Sequence, residues 1–243
     1  MYTFSEKRPR AVASAREISY DRGKGGDGVI EILEQTPGLV VCIKPVGVRP
    51  QGEAPDALPA LLAKQLGAGV YPVHRLDQAV GGLMVFARTG AMAAKLSQAM
   101  AEGTLQKEYL AVLGARPKDD SGELFDLLFH DRFKNKTYVV SKERKGVKKA
   151  SLSYRVVAEA DGLCLVHVRL HTGRTHQIRV QFASRGMPLV GDGKYGSRKN
   201  AASPALWSYA LTVPMDGAIA RIRALPEAAG VWAPFEQALR MLT

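Results

Sequence analysis

Short apolar runs separated by turn residues dominate the pattern of hydrophobic and polar positions along the chain. Residues 39–43 and 83–87 are apolar at every position, which predicts strands that are buried on both faces. The remaining runs are rich in β-branched and aromatic residues and predict further strands. They lie at residues 29–33, 105–113, 137–140, 152–157, 164–170 and 206–213.

Helical periodicity is confined to four segments. The first carries Pro59 in its first turn, where proline is tolerated, and the second is followed by Gly103, a typical helix end. Thr175 is predicted to N-cap the third. Because strands outnumber helices and many follow one another as hairpins, we expect an α+β fold with an extended mixed or antiparallel sheet flanked by helices. The predicted helices are residues 57–66, 90–101, 175–183 and 234–242.

The charge of the chain narrows the classes of partner. A net charge of +11 over 243 residues and a pI of about 9.7 favour a polyanion: RNA, DNA or an anionic membrane. The longest apolar runs fall far short of the roughly 20 residues of a spanning helix, so no membrane association is expected. Residues 132–149 hold eight Lys or Arg and one Glu. This segment is interpreted as an RNA-gripping hairpin, although a solvated basic loop is the alternative.

The chain is expected to contain one domain, residues 29–243, preceded by a flexible basic arm at residues 1–28 that is rich in glycine. The N-terminus has no apolar stretch of the kind that secretory signals contain. Cys42 and Cys164 lie within apolar runs and are interpreted as buried, unpaired residues. These features predict a cytoplasmic protein, and we expect it to act as a monomer.

The candidate chemistry begins with His74, Arg75, Leu76 and Asp77, which precede the apolar run at residues 83–87. A carboxylate beside an apolar wall needs a partner charge or hydrogen bonds. The arginine-rich turn at residues 172–179 offers such a partner about a hundred positions later. From the residues alone, a structural ion pair and a catalytic carboxylate remain equally open.

Five blocks of sequence occur in a fixed order: Lys-Pro-Val-Gly at 44–47, Val-His-Arg-Leu-Asp at 73–77 with a glycine at 82, Lys-Glu-Tyr-Leu-Ala at 107–111, Thr-Gly-Arg-Thr-His-Gln-Ile-Arg-Val at 172–180 and Gly-Asp-Gly-Lys-Tyr-Gly at 191–196. Together these blocks resemble the RluA-type pseudouridine synthases. The resemblance implies an active-site cleft across the sheet and a short form of the family without a separate N-terminal RNA-binding domain. It also implies site-specific isomerisation of uridine to pseudouridine in ribosomal or transfer RNA.

The resemblance assigns catalytic roles to three residues. Asp77 is implied to act on the target uridine, Arg179 to hold that carboxylate ionised, and Tyr109 to stack on the extracted uracil, with its hydroxyl a candidate acceptor for the proton from carbon-5. By alternation along a strand, Lys107 lies on the same face as Tyr109. Four cations are predicted to contact RNA: Arg75, Lys44, Lys107 and Arg174.

Other site chemistries find little support in the residues. His167, His171 and His176 lie close in sequence, but no Cys pair or carboxylate cluster completes a familiar spacing, so no metal is predicted. Two GxGxxG strings lie outside any βαβ unit, and neither predicts a nucleotide cofactor. No cofactor is expected, since the isomerisation is redox neutral. The main alternative function is an RNA-binding or RNA-folding protein with weak or lost activity; a glycosidase, which needs two facing carboxylates, ranks last.

The chain departs from the pattern of the family in three places. Val80 and Gly81 stand where Thr-Ser is usual, Gln181 replaces a frequent His, and Trp207-Ser208 follows Leu206 where His-Ala is common. These departures leave Asp77, Tyr109 and Arg179 in place. We expect them to affect the packing around the active site and the choice of substrate more than the catalysed reaction.

Overall fold

The computed structural model describes residues 16–20, 29–215 and 218–242 of the chain. Within these ranges, twelve strands form one sheet, and helices lie on both of its faces. The strands are β1 (Arg16–Tyr20), β2 (Ile32–Gln35), β3 (Leu39–Lys44), β4 (Tyr71–Pro72), β5 (Gly81–Ala87), β6 (Gln106–Leu113), β7 (Ser121–Asp131), β8 (Lys136–Val140), β9 (Val147–Ala160), β10 (Leu163–Leu170), β11 (Leu206–Met215) and β12 (Ala218–Ala224). The helices are α1 (Leu58–Leu66), α2 (Gly90–Ala101), α3 (Gln177–Ala183) and α4 (Glu236–Arg240), and two 3-10 turns cover Gly193–Tyr195 and Gly230–Phe235.

The sheet is mixed but mainly antiparallel, as the sequence predicted. Its main path runs β2-β3-β5-β11-β6-β10-β9-β7-β8, with β4 added beside β5 and β12 beside β11. Only two of the described pairs are parallel, β5 with β11 and β1 with β12. The long strands β7 and β9 and the short strand β8 form one end of the sheet. The basic segment at residues 132–149 comprises β8, the turns on either side of it and the start of β9.

Alternation along the central strands divides the core into two layers. In β6, Tyr109 and Ala111 face a layer that includes residues of α1 and α3, whereas Leu110 and Val112 face a layer that includes residues of α2 and α4. Every residue of β3 and β5 is buried, because both faces of these strands are covered. The tyrosine predicted to be functional therefore points to the α1 and α3 side of the sheet.

Most of the predicted elements are confirmed, and their ends differ for identifiable reasons. Helix α2 has the predicted bounds, with Thr89 accepting a hydrogen bond from the Met92 amide at its start. The prediction that Thr175 N-caps α3 is wrong. His176 occupies that position in the left-handed conformation, with φ of 54°, and makes no side-chain cap. The predicted helix at residues 234–242 begins as a 3-10 turn that contains Pro234, which lacks the amide hydrogen an α-helix needs.

Part of the segment predicted to be a flexible arm is a strand. Arg16–Tyr20 pair in parallel with β12, whose open edge offers free backbone donors and acceptors. Otherwise the predicted arm at residues 1–28 lies outside the described residues. Nor does any helix within the described ranges have the length and apolar character needed to cross a membrane.

Close packing of β5 against β11 fixes the backbone at the point where the chain enters β5. Gly82 has a φ of +114°, and a Cβ at this position would lie 2.4 Å from the Ser208 carbonyl oxygen. Only glycine combines that backbone angle with that approach. The loop that carries Asp77 is thereby held against the centre of the sheet.

Candidate active site

Six of the seven predicted site residues line a single cavity of about 210 Å³. It opens on the α1 and α3 side of the sheet, above the ends of β5, β6 and β10. The loop before β5 and strand β6 each supply two of these residues, and the segment at residues 172–179, which leads into α3 and includes its first turn, supplies the other two. They are Arg75, Asp77, Lys107, Tyr109, Arg174 and Arg179.

The seventh residue, Lys44, lies beneath the loop that carries Asp77. Its ammonium donates to the carbonyl oxygens of Pro45, Val48 and Gln78 at 2.7, 2.8 and 3.0 Å, and its side chain is completely buried. An ammonium has three donor hydrogens, and these carbonyls use all of them. The prediction that Lys44 contacts an RNA phosphate is therefore wrong.

Lys44 instead places a positive charge under Asp77. Burial lowers the pKa of Lys44 to about 8, while the Asp77 carboxylate acts in the opposite direction. The ammonium is therefore still mostly protonated at neutral pH. Lys44 fixes the backbone of the loop and contributes a cation that partly balances the acid above it.

Arg179 reaches the cavity from α3 and joins Asp77 to a second carboxylate. Its Nη1 donates to Asp77 Oδ2 at 2.9 Å, while its Nε and Nη2 donate to the two oxygens of Asp192 at 2.7 and 2.8 Å. Burial by itself lowers the pKa of Arg179, but the hydrogen bonds and charges of Asp192 and Asp77 outweigh this effect and raise it. The guanidinium therefore remains charged and anchors the Asp77 carboxylate.

Within the described ranges, hydrogen bonds reach only one oxygen of the Asp77 carboxylate. Oδ2 accepts from Arg179, and the Nε2 atom of His176 lies 3.7 Å from the same oxygen, beyond hydrogen-bonding distance. The Asp77 side chain is 22% exposed and lines the cavity. Oδ1 is thus free to contact a substrate.

A hydrogen-bonded chain positions His176 beside this carboxylate. The Thr137 amide donates to the Tyr195 hydroxyl at 2.8 Å, and that hydroxyl lies 2.9 Å from His176 Nδ1. Burial lowers the pKa of His176 to about 4, against an opposing effect of Asp77, so the imidazole is neutral at neutral pH. The network favours the tautomer in which Tyr195 donates to Nδ1 and Nε2 carries the hydrogen on the side of Asp77.

Tyr195 also supports Arg179 directly. The Arg179 guanidinium carbon lies 5.1 Å from the centre of the Tyr195 ring, a distance at which a cation is attracted to an aromatic face. Asp192 and Tyr195 together hold the guanidinium that binds Asp77.

Tyr109 presents its ring to the cavity from β6. Its side chain is almost completely buried, and this burial, reinforced by the nearby Asp77 charge, raises the pKa of the phenol. The hydroxyl therefore keeps its proton at neutral pH. A neutral aromatic side chain at this position can stack on a planar base.

The three remaining predicted cations surround the opening. Arg75 donates from Nη2 to the Thr175 hydroxyl at 2.5 Å, and Arg174 donates from Nε to the Lys149 carbonyl at 3.0 Å. Burial lowers the pKa of Lys107, whose ammonium makes no ion pair within the described residues; its hydrogen-bond partner there is the sulfur of Met100 at 3.7 Å. Each of the three retains donors for an anion.

Sequence reasoning missed Asp192, His176 and Tyr195 as parts of the site. Asp192 and Tyr195 lie in the glycine-rich block at residues 191–196, which marked a loop but gave no indication of Arg179 as the partner. The left-handed backbone of His176 is equally invisible in the sequence. The places of these three side chains depend on contacts between segments that are far apart in sequence.

The histidines that suggested a metal are separated by the fold. His167 pairs with Glu108 at 2.7 Å on the opposite face of the sheet from the cavity, whereas His176 lies beside Asp77. Among the residues described, no group of three or more His, Cys, Asp or Glu side chains is arranged to hold a metal ion.

Comparison with known proteins identifies the family of this chain. The model of the family described as RNA pseudouridylate synthase matches residues 38–184. An uncharacterised RNA pseudouridine synthase of Haemophilus influenzae is 32% identical over 177 residues, which are 69% of this chain and 74% of the relative. Ribosomal large subunit pseudouridine synthase D of Nitrosomonas europaea is 34% identical over 213 residues, 78% of this chain and 60% of the relative.

The match to a third relative covers a shorter segment. An uncharacterised RNA pseudouridine synthase of Zymomonas mobilis is 36% identical over 129 residues, 53% of this chain and 58% of the relative. For two of these three proteins, the chain covers less than two thirds of the relative's own length.

Solved structures share the fold at lower identity. The structure described as Human RNA Pseudouridylate Synthase Domain Containing 1 has a TM-score of 0.72 at 21% identity and covers 90% of this chain and 98% of its own. Human RNA Pseudouridylate Synthase Domain Containing 4 has a TM-score of 0.70 at 22% identity, over 86% and 93%. The expected α+β fold is thus confirmed, and the match across residues 38–184 means that this chain belongs to the RNA pseudouridylate synthase family.

Proposed function

We propose that this protein converts uridine to pseudouridine in a structured RNA, with Asp77 as the catalytic carboxylate. The observation that carries the proposal is the Asp77 carboxylate itself. One of its oxygens is fixed by a buried arginine at 2.9 Å, and the other has no hydrogen bond within the described ranges, in a cavity that Tyr109 also lines. Family membership supports the same reaction.

The reaction is an internal rearrangement of the nucleoside. The bond between N1 of uracil and C1′ of ribose breaks, the base rotates, and a bond forms between C5 and C1′. The hydrogen on C5 is lost and N1 gains one, so nothing is oxidised or reduced. Attack on ribose, attack on the base and removal of a ribose proton all require an ionised Asp77 with an accessible lone pair. Because the reaction is redox neutral, we propose that no cofactor takes part.

Binding of the uridine requires that its base leave the RNA stack, at a cost of a few kcal/mol. Stacking on the neutral ring of Tyr109 offsets part of this cost. The Arg179 guanidinium, held by Asp192 and Tyr195, keeps Asp77 oriented without moving itself. Asp77, Tyr109 and Arg179 thus take complementary parts: reaction, stacking and orientation.

The RNA backbone is proposed to follow cations that continue beyond the cavity. Arg75 and Arg174 flank the opening, and Lys107 lies between the cavity and an adjoining groove of about 470 Å³. Arg169 also lines that groove, and none of the described residues that line it is a carboxylate. Phosphates bound there release counterions, which favours an RNA strand lying along the groove on either side of the uridine.

The target is proposed to be a stem-loop of ribosomal or transfer RNA, because the uracil that reacts must be unpaired. We further propose that the protein acts as a monomer, and that it lies in the cytoplasm, since Cys42 and Cys164 are both free and buried. The rival function, RNA binding without catalysis, is less well supported. It gives no reason for an open Asp77 oxygen beside Tyr109.

Release of tritium from RNA labelled at carbon-5 of uridine tests the proposal. The RNA is taken from cells that lack this protein, and wild type is compared with Asp77→Asn and with Asp119→Asn, which changes an exposed carboxylate outside the cavity. We expect release by wild type and Asp119→Asn and none by Asp77→Asn, although all three bind the RNA. Equal release by Asp77→Asn would refute the catalytic role, and RNA binding without release by wild type would favour the rival.

A further inference from the structure

The turn between β7 and β8 exposes an aromatic residue among cations. Phe133 has a relative exposure of 104%, the largest among the exposed large hydrophobic residues of the described ranges. Arg132, Lys134 and Lys136 lie within three positions of it, and Asp131 is the one acid there. A phenylalanine in water forfeits the free energy that its burial would provide, so its position at the tip of a hairpin suggests a ligand.

The neighbouring aromatic residues of the same hairpin are covered. The Arg144 guanidinium carbon lies 4.8 Å from the centre of the Phe129 ring, and the Lys136 ammonium lies 5.8 Å from that of Tyr138. Phe133 has no ring or cation contact of this kind within the described residues. Of the three Phe and Tyr side chains at residues 127–140, Phe133 is therefore the one without such a contact in the described part of the chain, and it is fully exposed.

The turn itself is held in one conformation. Asp131 Oδ1 accepts from the Lys134 amide at 3.0 Å, and Asn135 adopts the left-handed conformation with φ of 43°. The Lys194 ammonium donates to the Asn135 carbonyl at 3.1 Å. Phe133 is thus presented by a structured turn, which lowers the entropy lost when a ligand binds.

The same turn is joined to the active site. Lys194 belongs to the 3-10 turn at Gly193–Tyr195, whose Tyr195 packs on Arg179. Thr137, four residues after Phe133, donates from its amide to Tyr195 and from its hydroxyl to the Thr175 carbonyl at 2.8 Å. Four residues span at most about 14 Å, so Phe133 lies within a short distance of the catalytic network.

We propose that Phe133 stacks on an unpaired base of the RNA close to the target uridine, while the flanking cations hold the adjoining phosphates. This inference rests on the proposed function and names the residue that recognises the RNA beside the reacting base. Aromatic rings bind single-stranded bases through stacking, with little dependence on sequence. The positive charge around Phe133 is complementary to the phosphates of such a strand.

Fluorescence tests the stacking without any turnover. Phe133→Trp places an indole at the tip, and Phe125→Trp is the matched control, since Phe125 is 66% exposed on β7, eight residues before Phe133. The probes are oligouridylate, inorganic polyphosphate and vesicles of phosphatidylserine. We expect oligouridylate to quench Phe133→Trp strongly and Phe125→Trp weakly, and polyphosphate to quench neither. Equal quenching by polyphosphate, or a blue shift with vesicles and no response to oligouridylate, would overturn the proposal.

Single-turnover kinetics test the consequence for modification. Phe133→Ala is expected to lower kcat/KM on the unmodified cellular RNA by roughly five- to 150-fold, the range found for loss of one stacking contact, whereas Phe133→Tyr and Phe125→Ala stay near wild type. A wild-type rate for Phe133→Ala would contradict the inference. If wild type itself forms no pseudouridine, the proposed function fails, and the fluorescence result still decides whether Phe133 stacks on a base.

Discussion

Replacement of Asp192 by Asn isolates the part of the site that sequence reasoning missed. Asp192 and Arg179 are both almost fully buried, with side-chain exposures of 1% and 7%, and are joined by two hydrogen bonds. Removing one member of a buried ion pair typically costs about 3–5 kcal/mol, because the remaining charge loses its partner. Asn keeps the shape and one acceptor oxygen, so we expect a loss near the lower end, about 3 kcal/mol.

Urea unfolding measures this loss, and tritium release measures its effect on catalysis. With a slope near 3 kcal/mol per molar urea, the midpoint is expected to fall by about 1 M. The rate of pseudouridine formation is expected to fall as well, since Arg179 loses the anchor that keeps it on Asp77. RNA binding should change little, because no phosphate-binding cation is altered.

Asp126→Asn is the matched control for Asp192→Asn. Asp126 accepts from Arg185 at 2.8 Å and from Gln181 at 2.7 Å, and so also joins a carboxylate to an arginine near α3, but outside the cavity. This variant should lose stability and keep its rate at temperatures where it is folded. If Asp192→Asn unfolds at the wild-type midpoint, or if the two variants slow catalysis equally, the argument that Asp192 positions Arg179 is refuted.

Three further predictions concern the supports of the site. Lys44→Met leaves three carbonyls without a donor and should lower the free energy of unfolding by about 3 kcal/mol, while the salt dependence of RNA binding stays unchanged. A variant with wild-type stability and a weaker salt dependence would instead indicate that Lys44 contacts a phosphate. Burial lowers the pKa of His74 from 6.5 to about 3. Near pH 5, His74 therefore binds a proton in the unfolded chain but not in the folded chain. His74 should then contribute about 2 kcal/mol to the fall in the free energy of unfolding between pH 7 and pH 5, beside a contribution of similar sign from His176, whose pKa burial also lowers; a His74→Gln variant that shows the same total fall as wild type would contradict this. Gly81→Ser should clash with Trp207, whose ring carbon Cζ3 lies 2.5 Å from a Cβ at that position. A double-mutant cycle with Trp207→His is expected to show coupling, and additive effects would refute the contact.

That last contact explains two departures from the family pattern together. The Trp207 ring fills the space that a side chain at residue 81 would take, and its Nε1 donates to the Ala224 carbonyl at 2.8 Å. A large residue on β11 and glycine on β5 thus preserve the packing between the strands. Gln181 also has a clear structural role, since its amide joins α3 to Leu124 and Asp126 of β7. None of these changes reaches the atoms of Asp77 that face the cavity.

Sequence by itself determined the elements and the identity of the chemical groups. The all-apolar runs at β3 and β5 predicted buried strands, and Gly103 marked the end of α2, because these signals are local and depend on a few neighbouring residues. The blocks around Asp77, Tyr109 and Arg179 likewise identified the family before any geometry was known.

Only the tertiary structure decided how those groups are paired. Lys44 looked like a surface cation in a turn, yet the fold turns it inward onto three carbonyls. Asp192 became the main partner of Arg179 because α3 and the loop at residues 191–196 meet on one face of the sheet. Charge pairing depends on separations of a few ångströms between residues far apart in sequence, and such separations exist only once the sheet has brought the strands together.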